Sequence, residues 1–157
     1  QPAHTKYYLP DEDRFWEASW YQRGDGDFTV FASQVVRDTL HVGFLICTEL
    51  WFMQCARVYG KQGIHILANP RATERGTCDK WLAGGRAAAV VSGAYCLSSN
   101  RVASGNRPED MGGLGWIISP DGEVLGLTSA ERPFVTVEID LSAAERAKTT
   151  YPRYVLE

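Results

Sequence analysis

An uninterrupted apolar run, followed by a helical pattern and a second apolar run, constrains this chain most. The first run covers residues 42–46 (VGFLI) and ends at Cys47. A continuous run of this length is typical of a strand that is buried on both faces of a sheet. Residues 49–62 then show apolar positions at helical spacing, and residues 64–68 form the second run. Together these segments predict a β–α–β unit, in which a right-handed crossover joins two parallel strands.

The remaining patterns extend this unit in both directions. Residues 1–27 are polar and rich in aromatic side chains, and they predict a long ordered loop that packs on the rest of the protein. A strand over 28–31 and a hairpin around 37–39 are predicted next. A second helix, capped by Asp79, ends at Gly93, and a strand over 94–98 and a polar loop over 99–113 follow. A hairpin around residues 120–122, a last strand over 134–139 and a short helix begun by a capping box at Ser142 complete an α/β chain with helices on a mixed sheet.

Length and composition exclude several classes of protein. The 157 residues are enough for one domain, and 16 basic against 19 acidic residues give a net charge of −3, which argues against a nucleic-acid-binding surface. No apolar run approaches the roughly 18 residues that span a bilayer, and no signal peptide precedes the first strand. The four cysteines form no C-x-x-C pair, so no zinc knuckle, redox motif or other metal site is predicted, and we expect reduced thiols in a cytoplasmic protein. The chain begins with Gln1 instead of Met, which suggests that upstream residues are missing.

Three residues are the candidates for chemistry. Cys47 lies where a buried strand meets a helix, and the free N–H groups at that helix start would stabilise a thiolate and a developing oxyanion. The structural alternative is an inert buried cysteine at the end of a strand. Lys6 lies among aromatic residues that would partly desolvate its ammonium group, and Glu17 lies between aromatic residues as well; the alternative for both is a surface ion pair. The three histidines are at positions 4, 41 and 65, and because none has a signature spacing a cysteine–histidine hydrolase is the weakest interpretation.

Taken together, these segments resemble the nitrilase superfamily of carbon–nitrogen hydrolases. Residues 6–12 (KYYLPDE) are similar to the segment around the family's catalytic lysine, and residues 15–17 (FWE) to the segment that carries its second active-site glutamate. Residues 42–51 (VGFLICTELW) are similar to the strand and elbow of its nucleophilic cysteine. The strand over 63–70, the pattern of Trp81, Arg86 and Asn100, and the hairpin over 119–122 also match.

The resemblance implies a fold, a chemistry and a set of roles. The fold would be the C-terminal portion of an α-β-β-α sandwich, with two main helices on a mixed sheet, and residues 1–157 would be a single partial domain. Cys47 would attack an amide, N-carbamoyl or nitrile carbon and form a thioester-type intermediate. Lys6 and the Thr48 N–H would hold the oxyanion, Glu17 would be the supporting acid, and Trp51 would flank the pocket of a small-molecule substrate. No cofactor is implied. The chain is expected to form a homo-oligomer.

The sequence also departs from the family pattern. Met53 and Gln54 stand where the family often has Pro-Glu, and Trp116 stands where a small residue is common, so pocket shape and local packing differ. The general-base glutamate of the family lies well upstream of the lysine, and residues 1–5 contain no carboxylate. The alternative function is therefore an inactive nitrilase-like fragment, which acts only as a folded or dimerising module.

Overall fold

A mixed six-stranded sheet organises the chain in the computed structural model, which describes residues 3–35, 38–103, 107 and 109–156. In order across the sheet, the strands are β1 (Phe31–Val35), β2 (Asp38–Phe44), β3 (Ile66–Arg71), β4 (Tyr95–Asn100), β5 (Trp116–Ile118) and β6 (Val124–Leu127). Strands β2, β3 and β4 are parallel, and the other neighbouring pairs are antiparallel. The α/β class and the predicted parallel crossover are confirmed.

Two main helices pack against one face of this sheet. The helices are α1 (Glu17–Trp20), α2 (Met53–Lys61), α3 (Cys78–Ser92) and α4 (Leu141–Ala147), with one-turn 3-10 helices at Cys47–Trp51 and Arg75–Thr77. The buried residues of α3 are all small and recur every three or four positions: Gly84, Gly85, Ala88, Ala89 and Ser92. Because they lack bulk, α3 lies close to the sheet. It ends at Gly93, whose positive φ of 61° is the left-handed conformation that glycine adopts readily.

The hydrophobic core lies between the sheet and helices α2 and α3. It includes Leu45, Leu67, Cys96, Trp116 and Ile118 from the sheet region, and Ala56, Tyr59, Ala88 and Ala89 from the helices. Gly43 lets the ring of Tyr59 lie against the backbone of β2, since a Cβ atom there would come within 2.7 Å of that ring. Burial therefore alternates at this end of β2: Gly43 and the following Leu45 are buried, whereas Val42 and Phe44 are half-buried. The predicted burial on both faces is wrong for this strand.

Element boundaries differ from the predictions around Cys47. The predicted strand over 42–47 ends at Phe44, and the predicted single helix over 49–62 is a 3-10 turn followed by α2, with a break at Phe52. At this break Phe52 has a non-helical backbone, with φ −92° and ψ 78°, and its ring stacks on Tyr8 with 3.5 Å between ring centroids. Of the other predicted loop aromatics, Trp16, Trp20 and Tyr21 are exposed, so the N-terminal loop packs through only part of its aromatic residues.

Three further predictions need correction. Residues 134–139 alternate in burial but form no strand, since no backbone ladder pairs them with the described strands of the sheet; Val135 and Val137 lie against Gly126. Helix α4 is capped by Asp140 and not by Ser142, since the Asp140 carboxylate accepts the Ser142 N–H. The strand predicted over 28–31 begins only at Phe31.

Some predictions fall partly outside the described residues. The early hairpin is confirmed, because β1 pairs with β2 in antiparallel register, but residues 36 and 37 of its turn lie outside the described ranges. Residues 104–106 and 108 of the predicted polar loop over 99–113 lie outside them too. None of the helices within the described ranges has the length and apolar character needed to cross a bilayer.

Candidate active site

Cys47 occupies a strained turn immediately beyond the carboxyl end of β2. Its φ is +50°, in the left-handed region that residues with a side chain adopt rarely. The backbone ladder with β3 ends at Leu45, whose N–H donates to the Ala68 carbonyl at 3.0 Å. Beyond that point the Asn69 side chain supplies the hydrogen bonds: its Nδ2 donates to the carbonyls of Leu45 at 2.5 Å and of Cys47 at 3.4 Å. A side chain thus supports the turn where the backbone of β2 leaves the sheet.

A buried carboxylate, Glu49, joins this turn to the N-terminal segment. It accepts the backbone N–H groups of Tyr7 and Ile46, each at 2.7 Å, and hydrogen-bonds with His4 Nε2 at 2.8 Å. Burial alone would raise the pKa of Glu49, but the bonds from His4, Tyr7 and Ile46 together hold that pKa below its ordinary value. The hydrogen bond to Glu49 in turn raises the pKa of His4. His4, which has no signature spacing in the sequence, therefore belongs to the support of the site.

Lys6 and Glu17 form an ion pair in the segment held by this carboxylate. Lys6 Nζ lies 2.5 Å from Glu17 Oε2, and the Lys6 side chain is only 10% exposed. The backbone of Lys6 is fixed as well, because its carbonyl accepts the Gly24 N–H at 2.9 Å. An ion pair, which was the structural alternative for these two residues, is thus present, but it is partly buried and not on the open surface.

A pocket of about 140 Å³ opens beside Cys47. Its walls come from three segments, and the lining residues include Cys47 and Thr48 from the turn, Pro10, Glu12 and Phe15 from the N-terminal segment, and Thr73, Glu74 and Trp81 from the region after β3. Thr48 also lines a second pocket of about 310 Å³, together with Tyr7, Tyr8 and Ala18. The N-terminal segment therefore covers the turn that carries Cys47.

Of the five predicted site residues, Cys47 and Thr48 are among the residues that line the pocket, and Lys6, Glu17 and Trp51 are not. Lys6 and Glu17 pair with each other in the N-terminal segment. Other residues of that segment, Pro10, Glu12 and Phe15, line the pocket. Trp51 is 43% exposed and packs against Trp81, a lining residue, with 5.0 Å between ring centroids.

Residues that sequence reasoning did not assign to the site lie directly behind it. Arg71, at the end of β3, is buried, and its guanidinium lies 4.1 Å from the ring centroid of Trp116 and 5.8 Å from that of Trp81. Burial lowers the pKa of Arg71 to about 10, although three nearby cysteines, Cys47 among them, favour its charge. The available sequence signal was a charged residue three positions after the apolar run over 64–68.

The four cysteines carry free thiols, of which Cys47 and Cys78 are half-buried and Cys55 and Cys96 buried. Burial raises the pKa of the Cys55 thiol, and raises that of Cys96 to about 11, so these two are poor nucleophiles. Within the part of the chain that the structure describes, no three His, Cys, Asp or Glu residues group in a way that could hold a metal ion.

Comparison with known proteins identifies related sequences. A family model described as carbon–nitrogen hydrolase matches residues 2–149. An omega-amidase from Xenopus tropicalis is 30% identical over 159 residues, which cover 95% of this chain and 54% of the relative. An N-carbamoylputrescine amidase from Solanum tuberosum is 24% identical over 148 residues, or 85% of this chain and 48% of the relative. The chain thus spans about half the length of the curated relatives it matches.

Solved structures show the same fold. A carbon–nitrogen hydrolase from Helicobacter pylori superposes with a TM-score of 0.81 at 23% identity, covering 95% of this chain and 55% of that one. A nitrilase-superfamily protein from Saccharomyces cerevisiae superposes with a TM-score of 0.74 at 18% identity, covering 95% of this chain and 52% of that one.

Proposed function

The chain belongs to the carbon–nitrogen hydrolase family of the nitrilase superfamily, and we propose that it provides the nucleophile of an amidase-type reaction. The nucleophile is Cys47, and the bond broken is a non-peptide carbon–nitrogen bond of a small molecule. The observation that carries this proposal is the left-handed turn at Cys47, which lines a pocket at the carboxyl end of a parallel strand. Ligands of α/β proteins bind at that end of the sheet.

The proposed reaction has two covalent steps. In the first, the Cys47 sulfur bonds to the substrate's carbonyl carbon, the carbon–nitrogen bond breaks, and the nitrogen leaves as ammonia or an amine with the proton that the thiol lost. In the second, water adds to the thioester carbon, the carbon–sulfur bond breaks, and an acid leaves while the thiol regains a proton. Splitting acyl transfer in this way replaces one difficult step by two easier ones.

The neighbouring groups have roles in these steps. The Lys6 ammonium and the Thr48 N–H stabilise the oxyanion that forms before the carbon–nitrogen bond breaks. Glu17 supports the charge on Lys6, from which it lies 2.5 Å away. A general base takes the thiol proton and returns it to the leaving nitrogen; the family resemblance assigns this step to a further glutamate upstream of the lysine.

The substrate class rests on the relatives. They include omega-amidases and N-carbamoylputrescine amidases, so we propose a small amide or N-carbamoyl compound. Trp51 would influence substrate fit through its contact with Trp81. A nitrile substrate, a homo-oligomeric state, a cytoplasmic location and the assignment of residues 1–157 to one partial domain stay predictions.

Selective alkylation tests the nucleophile. The protein is treated with iodoacetamide at neutral pH, and the modified cysteines are quantified by mass spectrometry of peptides. We expect Cys47 to react about tenfold faster than Cys78, the other half-buried thiol. The Lys6 ammonium and the Thr48 N–H that we assign to the oxyanion would also hold the carboxamide of the reagent beside Cys47. Cys78 begins α3, so a position at a helix start is common to both thiols and does not cause the difference. Equal rates at the two positions would contradict the proposal.

An activity assay then tests the reaction. Ammonia release from an N-carbamoyl amine and from a simple amide is measured for the wild-type protein and for Cys47→Ser, with Cys78→Ser as the matched control. Activity that survives in Cys47→Ser would assign the nucleophile to another residue. The expected result is activity that is lost in Cys47→Ser and kept in Cys78→Ser. A wild-type protein without activity would support the alternative function, an inactive nitrilase-like fragment, because residues 1–5 contain no carboxylate that could act as the base.

A further inference from the structure

Arg71 is a buried cation at the end of β3. It is 7% exposed, and within residues 3–35, 38–103, 107 and 109–156 no Asp or Glu side chain forms an ion pair with its guanidinium. Burying a charge in this way costs free energy, so such a residue needs compensating hydrogen bonds. Arg71 ends β3, which pairs with the strand that leads into the Cys47 turn.

The guanidinium of Arg71 binds three segments at the carboxyl end of the sheet. Its Nε donates to Ser98 Oγ on β4 at 3.0 Å. Its Nη1 donates to the hydroxyl of Thr73, a residue of the pocket wall, and its Nη2 donates to the carbonyl of Leu114 before β5. Three donors in a rigid fork hold these acceptors at fixed distances from one another.

Ser98 links the Arg71 guanidinium to the backbone of β3 through hydrogen bonds. Its hydroxyl accepts from Arg71 and donates to the backbone carbonyl of Asn69 at 2.6 Å, and the same hydroxyl lies 3.3 Å from Asn69 Oδ1. Asn69 is 1% exposed, and its Nδ2 donates to the carbonyls of Leu45 and Cys47. A continuous path of hydrogen bonds therefore runs from Arg71 through Ser98 and Asn69 to Cys47 itself.

We propose that Ser98 and Asn69, held in place by Arg71, are positioning residues that keep the Cys47 turn in its left-handed conformation. This proposal rests on the proposed function, in which Cys47 is the nucleophile. A left-handed φ at a residue with a side chain is costly and persists only where the surroundings determine it. The hydrogen bonds from Asn69 are the side-chain contacts that reach the Leu45 and Cys47 carbonyls, where the backbone ladder has ended.

The position of the sulfur matters because the reaction depends on alignment. Displacements of about 1 Å at a reacting group can cost about a hundredfold in rate. The network acts on Cys47 through its backbone, and Arg71, Ser98 and Asn69 are not among the residues that line the pocket. A loss of the network should therefore lower kcat and leave KM nearly unchanged.

The test compares Ser98→Ala, which removes the central hydroxyl, with two matched variants. Ser98→Thr keeps a hydroxyl at the same position, and Ser99→Ala removes an exposed hydroxyl from the next residue. Iodoacetamide serves as the probe, because its carboxamide is the group that the site should hold while the thiolate displaces iodide. The alkylation rate of Cys78 in the same molecule is the internal reference, which corrects for reagent concentration and for general loosening of the fold.

We expect Cys47 to be alkylated about fivefold more slowly in Ser98→Ala, the rate equivalent of one neutral hydrogen bond. Ser98→Thr should recover most of the wild-type rate, and Ser99→Ala should match wild type. Hydrogen exchange measured by mass spectrometry should rise in Ser98→Ala within peptides that span residues 45–50 and stay unchanged in α2.

Two outcomes would overturn the positioning role. One is an unchanged Cys47 rate in Ser98→Ala. The other is an equal decrease at Cys47 and Cys78, which would indicate general loosening of the fold. The proposed nucleophile is judged separately, by the ratio of the Cys47 and Cys78 rates in the wild-type protein, so the two proposals can fail independently.

Discussion

The carboxylate of Glu49 accepts the backbone N–H of Tyr7 at 2.7 Å, across 42 positions of sequence. The other oxygen of the same buried group binds the N–H of Ile46 and the ring of His4. One side chain thus sets the distance between the Cys47 turn and the segment that carries Lys6. The arrangement of the candidate site depends on this carboxylate, although it lies behind the pocket and not in it.

We predict that Glu49→Gln destabilises the protein by about 1–3 kcal/mol, the usual cost of leaving buried polar groups unsatisfied. All three partners of Glu49 can donate, whereas a glutamine presents one acceptor oxygen and an NH₂ group that would face a donor. Urea denaturation measures the change in the free energy of unfolding. Glu138→Gln, which changes an exposed glutamate, is the control and should be neutral. A Glu49→Gln protein as stable as wild type would contradict the role of Glu49 as an anchor.

The hydrogen-bonded pair of His4 and Glu49 predicts how the stability of the fold depends on pH. Because the folded-state pKa of His4 lies above its ordinary 6.5, His4 contributes stability that is fully present below pH 6.5 and is lost as pH rises through the folded value. Because the folded-state pKa of Glu49 lies below its ordinary 4.5, its contribution is present above pH 4.5 and is lost as pH falls through the folded value. The pair should therefore stabilise the fold most between about pH 4.5 and 6.5.

His4→Gln tests this pH window. Urea unfolding of the wild-type protein and the variant is measured from pH 5 to about pH 9. The stability difference between them should be largest near pH 6 and should shrink as pH rises above 6.5. A difference that is constant across this range would show that protonation of His4 does not couple to folding.

The sequence was sufficient to predict the β–α–β crossover around Cys47. It was insufficient to predict the hydrogen bonds that support the turn at Cys47. The apolar run before Cys47 and the run over 64–68 predicted the parallel strands correctly, although only alternate residues of the first run are fully buried. The contribution of Asn69 to the turn was not predictable, since its bonds to Leu45 and Cys47 arise only after two strands align. The strand predicted over 134–139 failed for a related reason: alternation shows that Val135 and Val137 are buried, but not whether their backbone is paired.

Close packing between α3 and β5 leads to a third prediction. A Cβ atom at Gly85 would lie 2.7 Å from the buried indole of Trp116. Alanine normally favours a helix over glycine by about 1 kcal/mol, but overpacking of a core costs about 1–3 kcal/mol. We therefore expect Gly85→Ala to lower the free energy of unfolding.

Two comparisons separate this effect from helix propensity. Gly84→Ala changes the adjacent position, where the new Cβ meets the half-exposed ring of Trp51, which is free to shift, so stability should be equal or higher. Trp116→Phe removes the ring atoms that Gly85 faces, so Gly85→Ala should cost less in that background. Additive effects of Gly85→Ala and Trp116→Phe would argue against direct contact.

The Lys6–Glu17 pair gives the last prediction. Lys6→Met keeps the length and apolar body of the side chain but removes the charge that we assign to oxyanion stabilisation, and the loss of one such donor typically lowers kcat about 10²–10³-fold. Lys61→Met, on the surface of α2, is the matched control and should leave kcat unchanged. The rate of ammonia release at saturating amide is the measurement, with circular dichroism to confirm folding.

Because Glu17 acts through Lys6, Glu17→Gln should reduce kcat less than Lys6→Met, and the double variant should be no slower than Lys6→Met alone. A double variant much slower than Lys6→Met would mean that Glu17 has a role in the reaction independent of the lysine.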